Sequence, residues 1–101
     1  MTPSEALNSN RTAIRHIVES HRARNPQVLD SRLLDAVLRS PGAGKSDLNI
    51  LIDPTPEMTL MDVSAIKIEL QDLLGVSVDV LTARALLDAF RNRVTSEAVP
   101  I

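Results

Sequence analysis

The chain has 101 residues, 44% of them hydrophobic and 24% charged, the make-up of one ordinary globular domain spanning 1–101. A net charge of −2 supplies no field for a nucleic-acid backbone, and one aromatic residue, Phe90, leaves base stacking unsupported, so direct nucleic-acid binding is not expected. The absence of cysteine excludes disulfides, thiolate zinc sites and cysteine nucleophiles, and no run approaches the ~18 apolar residues of a membrane span. With a polar N-terminus, a cytoplasmic location away from membranes is the expectation.

Thr2-Pro3-Ser4-Glu5 reads as a helix start, with Thr2 as N-cap, Pro3 in the first turn and Glu5 completing a capping box. Leu7, Ile14, Ile17, Val18 and His21 recur at helical spacing and predict one helix over 3–23, with Arg11, Arg15, Arg22 and Arg24 on its solvated side. His16 and His21 are five apart, which does not stack them as metal ligands on one helical face. Arg24-Asn25-Pro26 ends the helix, because the residue before a proline avoids the helical region. A short strand at 26–29 follows. Asp30-Ser31 then caps a helix over 31–39 that carries Leu33, Leu34, Val37 and Leu38 on one face.

The loop from Ser40 to Lys45 ends in Gly44-Lys45-Ser46, the tail of a phosphate-cradling P-loop. The position of that motif's first glycine holds Arg39, and the order is helix then strand, the reverse of what the mechanism needs. The P-loop reading is rejected.

The stretch from Ser46 to Asp53 alternates as a strand over 47–53, with Leu48, Ile50 and Ile52 on one face and Asp47, Asn49, Leu51 and Asp53 on the other. Oxygen-bearing side chains at i and i+2 are how a strand presents ligands to a hard cation; the alternative is a loop end beside a solvated edge. After a Pro-rich turn, Thr59 caps a helix over 59–74 with Asp62 in its first turn. Leu60, Val63, Ile66, Leu70, Leu73 and Leu74 form its apolar stripe, and Gly75 supplies a left-handed stop. A third strand over 76–81 sets Val78 and Val80 against Ser77 and Asp79, and Thr82 caps a last helix over 83–97. Strands alternate with helices, so the class is α/β (α+β): a small three-stranded sheet covered by about four helices.

Arg24-Asn25-Pro26-x-Val28, then Ser46-Asp47-Leu48-x-Ile50-Leu51-Ile52-Asp53, resembles the minimal nucleotidyltransferases of the polymerase-beta superfamily. So does Leu70-x-x-Leu73-Leu74-Gly75-Val76-x-Val78-Asp79-Val80-Leu81-Thr82, and so does the ending Arg91-x-Arg93-Val94 with Glu97-Ala98-Val99-Pro100-Ile101. The resemblance covers nearly the whole chain and is strongest over 46–82. It implies a nucleotidyltransferase fold, a small mixed sheet with helices on one side, and a place beside a HEPN-type ribonuclease toxin in a toxin–antitoxin pair. Active members of that family transfer AMP from ATP onto the toxin.

In that family a Gly-Ser turn approaches the phosphates, an Asp-x-Asp pair holds two magnesium ions, and a third acid helps activate the attacking hydroxyl. Carried over, Asp47 matches the first acid, Asn49 stands where the second belongs, and Asp79 matches the third. The resemblance thus implies Asp47 and Asp79 as catalytic residues and Asp47, Asn49 and Asp79 as metal ligands. The Gly-Ser turn falls on Asp30-Ser31 or on Asp35-Ala36, neither with a glycine, so Ser31, Arg39 and Lys45 are the candidates for nucleotide contact. The leading expectation is an antitoxin with a degenerate site that binds its toxin and transfers AMP weakly or not at all. The second is an active magnesium-dependent nucleotidyltransferase in which Asp47 and Asp79 suffice, or Asp53 or a partner's acid substitutes. The third is a small structural domain that forms homo-oligomers.

Overall fold

The computed structural model describes residues 2–29, 46–82 and 96–101. The expected helices at 31–39 and 83–97 lie outside the described residues, apart from Ser96 and Glu97, which are helical. The described elements are α1 (Pro3–Ser9), α2 (Arg11–Ser20), β1 (Ala23–Leu29), β2 (Leu48–Pro54), α3 (Leu60–Leu74), β3 (Val78–Leu81) and β4 (Val99–Pro100). The strands form one mixed sheet in the order β3-β2-β1-β4. β1 runs antiparallel to β2 and to β4, whereas β2 and β3 are parallel. The architecture is therefore mixed α/β, as expected, with a fourth strand that two residues of ordinary composition did not announce. Among the described residues no helix is long and apolar enough to cross a membrane.

The first helix forms as two. Thr2 accepts from the Glu5 amide at 3.2 Å, so the predicted N-cap is present. The break comes at Asn10, whose side-chain amide donates to the Ala6 carbonyl at 2.8 Å while its backbone leaves helical geometry at φ −128°. An asparagine side chain that occupies the carbonyl of the preceding turn competes with the backbone ladder and bends the path. The second helix stops at Ser20, and His21, outside the apolar core, bonds the Glu69 carboxylate of α3.

β1 begins at Ala23, earlier than the expected 26, because the proline falls in a bulge. The register of β1 on β2 slips between Arg24 and Gln27, with Asn25 at φ +54° and Arg22, just before the strand, at φ +64°. Proline cannot donate to a ladder, and a bulge is where a sheet tolerates it. The Pro26 carbonyl still accepts from the Ile101 amide at 3.0 Å. Arg11 and Arg15 hold the same terminal segment: Arg11 Nη1 donates to the Pro100 carbonyl at 3.2 Å and Arg15 Nη1 to the Ile101 carbonyl at 2.6 Å. These two arginines, expected to be merely solvated, fasten β4 to the helices.

The described helices pack on one face of the sheet. Leu7, Ile14 and Val18 meet Ile50, Ile52, Val78 and the buried row Ile66, Leu70 and Leu74 of α3, and Ile101 closes the core. β2 is buried on both faces over Leu48–Ile52, so Asn49 and Leu51 are inside as well, not on a solvated edge. α3 keeps its predicted limits. Thr59 and Asp62 form a reciprocal capping box, and Gly75 ends the helix at φ +69° with nothing within 4 Å of an added Cβ. The expected stripe is narrower than read: Leu60 and Leu73 are exposed, because the buried row recurs at four-residue spacing and leaves its neighbours outside.

These two caps generate a test. Thr59→Ala removes one side-chain acceptor, and Gly75→Ala forces a Cβ into the left-handed region; each should cost about 1 kcal/mol. The sites are ~24 Å apart along the helix, so the double variant should lose the sum within about 0.5 kcal/mol. Thermal melts should show about 4–8 °C for each single change. A Gly75→Ala protein as stable as the parent would overturn the reading of that stop.

Candidate functional site

The parallel pairing of β2 and β3 decides which side chains meet. The register sets Leu48 beside Val78, Asn49 beside Asp79, Ile50 beside Val80 and Leu51 beside Leu81. Neighbouring residues in register share a face, so Asn49 and Asp79 lie on the same side of the sheet. Asn49 is 1% exposed. The Asp79 side chain keeps 26% of its surface and faces the Lys67 ammonium of α3, Nζ to Oδ1 3.7 Å. That separation with partial exposure is worth less than about 1 kcal/mol.

Asp47 lies just before β2, exposed, and is clasped to Ser77 just before β3. The Ser77 amide donates to Asp47 Oδ2 at 3.2 Å and the Ser77 hydroxyl to the same oxygen at 3.1 Å. In return the Asp47 amide donates to Ser77 Oγ at 2.9 Å, and the Leu48 amide donates to the Ser77 carbonyl at 3.1 Å. Hydrogen bonds to a charged acceptor are about twice as strong as neutral ones, so this clasp locks the start of the ladder. A further contact fixes the start of β3: the Val78 amide donates to Gln71 Oε1 of α3 at 3.2 Å.

The three sequence-predicted positions therefore gather at the N-terminal ends of the two parallel strands. Ser31, Arg39 and Lys45, with both candidate turns at 30–31 and 35–36, lie outside the described residues. Asp53 does not belong here. It stands at the far end of β2, opposite Arg24, and accepts from the Asn25 side-chain amide at 3.1 Å. Four residues separate it from Asn49 along the strand, about 13 Å.

Sequence reasoning missed Ser77 and Lys67 as site residues. Ser77 carries a weak signal, a hydroxyl two residues before an acid on the same face. Lys67 carries none, since only the packing of α3 on β3 brings it to Asp79. Among the described residues no group of three or more His, Cys, Asp and Glu is arranged to hold a metal ion. The oxygen donors on hand are two carboxylates, Asp47 and Asp79, and one amide, Asn49, with one ammonium close by. Such a set can bind one cation or a hydrogen-bond donor of a ligand, and Lys67 can meet an anion.

No family model matches the chain. A Methanocaldococcus jannaschii protein named "putative protein adenylyltransferase" is 36% identical over 56 residues, which is 55% of this chain. The match spans only 60% of the length of that relative. A solved structure described as a "putative minimal nucleotidyltransferase" superimposes with a TM-score of 0.76 at 32% identity, covering 100% of this chain and 97% of the other. At that identity and coverage the chain belongs to the minimal nucleotidyltransferase family.

Proposed function

We propose that this chain is a nucleotidyltransferase-fold antitoxin that binds and neutralises a HEPN-type ribonuclease toxin, with AMP transfer from ATP weak or lost. The family membership supports the nucleotidyl-transfer ancestry. The observation that carries the loss of transfer is residue 49, where a buried amide stands beside Asp79 in the register. Two magnesium ions near a triphosphate need carboxylates that flank or bridge both, and an amide supplies an oxygen without charge. Asp47 has Oδ2 committed to two Ser77 donors, and Asp79 faces an ammonium. This donor set does not fit a two-ion site. Asp53 cannot make up the deficit from the other end of β2; an acid supplied by a partner would be the remaining route to an active enzyme.

Two measurements test the reading. Calorimetric titration of ATP in magnesium should give a Kd weaker than about 1 mM. Tight, magnesium-dependent nucleotide binding would overturn the claim of weak transfer and favour the active enzyme. Co-expression with a neighbour-encoded helical protein should yield a stable complex; a homo-oligomer that ignores that protein would favour the structural reading.

Asn49→Asp tests whether residue 49 is the decisive loss. The new carboxylate would be buried beside Asp79, and like charges at close range in a dry site repel. In chelator the variant should lose about 2 kcal/mol or more, near 10 °C in melting temperature. Millimolar magnesium should restore much of that by binding the native state, while leaving the parent protein unmoved. If the variant melts identically with and without magnesium, Asp47, residue 49 and Asp79 do not share an ion, and the two acids are structural.

A further inference from the structure

Lys67 belongs to α3, whose buried row Ile66, Leu70 and Leu74 packs with Val78 on the core face of the sheet. Asp79 follows Val78 in β3 and so points to the opposite face, the one it shares with Asn49. β3 is the outermost of the described strands. The Lys67 side chain therefore reaches past the edge of the sheet, and its Nζ stands 3.7 Å from Asp79 Oδ1. Gln71, one turn further along the same helix face, accepts from the Val78 amide at 3.2 Å. That bond fixes the stretch of α3 from which Lys67 extends.

A lysine can do this because its long apolar stem lies along the protein while its charged head stays free to turn. The ammonium changes the charge at the strand ends. Among the described residues there, Asp47 and Asp79 supply two negative charges, Asn49 none and Lys67 one positive, a sum of −1. Oxygen sites hold a divalent ion through carboxylate charge. An ammonium beside a ligand oxygen opposes such an ion twice, by competing for the oxygen and by repelling the ion. Resting on the reading that AMP transfer is weak or lost, we propose that Lys67 is the resident cation of this site. It occupies the Asp79 carboxylate and sets the strand ends against divalent ions. The Asp79 charge is then balanced from within the chain, and Lys67 determines which cation the site accepts.

The probe is manganese alone, with the free ion counted by electron paramagnetic resonance in low salt and without nucleotide. The reference is the Asn49→Asp protein, which carries three carboxylates. Adding Lys67→Met keeps the stem, removes the charge and should tighten manganese binding about tenfold. Lys67→Arg in the same background keeps the charge and should stay within about threefold of the reference. The gain from Lys67→Met should shrink between about 20 and about 500 mM potassium chloride, and adding Asp79→Asn should abolish it. A partly exposed ion pair holds little stability, so a merely structural role for Lys67 predicts no change in metal affinity. In the parent chain, where residue 49 stays neutral, Lys67→Met should tighten binding in the same direction by about threefold. That comparison serves if the Asn49→Asp protein does not fold. Equal manganese affinity with and without Lys67→Met would overturn the proposal, as would an equal gain in Lys67→Arg or a gain that survives Asp79→Asn. Titration of the parent with ATP and magnesium separates the two levels of inference. Weak ATP binding with unchanged manganese affinity removes the role of Lys67 and leaves the reading of lost transfer. Tight ATP binding by the parent, with the gain on Lys67→Met, removes that reading and leaves Lys67 as a brake on the ion.

Discussion

The parallel register of β2 on β3 is the constraint on which the rest of the site depends. Parallel strands cannot be joined by a tight turn and need a crossover, here the α3 helix, so the alignment must be secured at its open end. The Asp47–Ser77 clasp secures it with side-chain and backbone bonds in both directions. From that point each step along the ladder follows: Leu48 and Ile50 turn to the core with Val78 and Val80, and Asn49 is set beside Asp79. A slip by one residue would reverse every one of these faces.

The same burial that stabilises the sheet restricts what residue 49 can be. β2 is enclosed on both faces, and a carboxylate at 1% exposure beside Asp79 would carry an uncompensated charge unless cations were present. An amide carries no charge and so avoids that penalty.

α3 serves both sides of this argument. Its inward row builds the core, its side chains Gln71 and Lys67 reach β3, and its outward face leaves Met61 and Ile68 in solvent. Its ends are secured locally by the Thr59–Asp62 box and the left-handed Gly75.

Local chemistry determined a good deal by sequence alone. The limits of α3 were legible because a capping box and a left-handed glycine act within one turn, and β2 was legible because its apolar alternation has period two. Asp47 and Asn49 stood two apart in the strand pattern, whereas Asp79 entered only through the family resemblance. What only the tertiary structure decided involves partners far apart in the chain. Pro26 is absorbed by a bulge against β2, Arg11 and Arg15 fasten a two-residue strand some ninety positions away, and Lys67 meets Asp79. Pattern along a sequence reports which face of an element is apolar. It does not report which element will cover that face or in what register, because those follow from the packing of the whole chain, and with them whether a carboxyl group meets a cation, a hydroxyl or water.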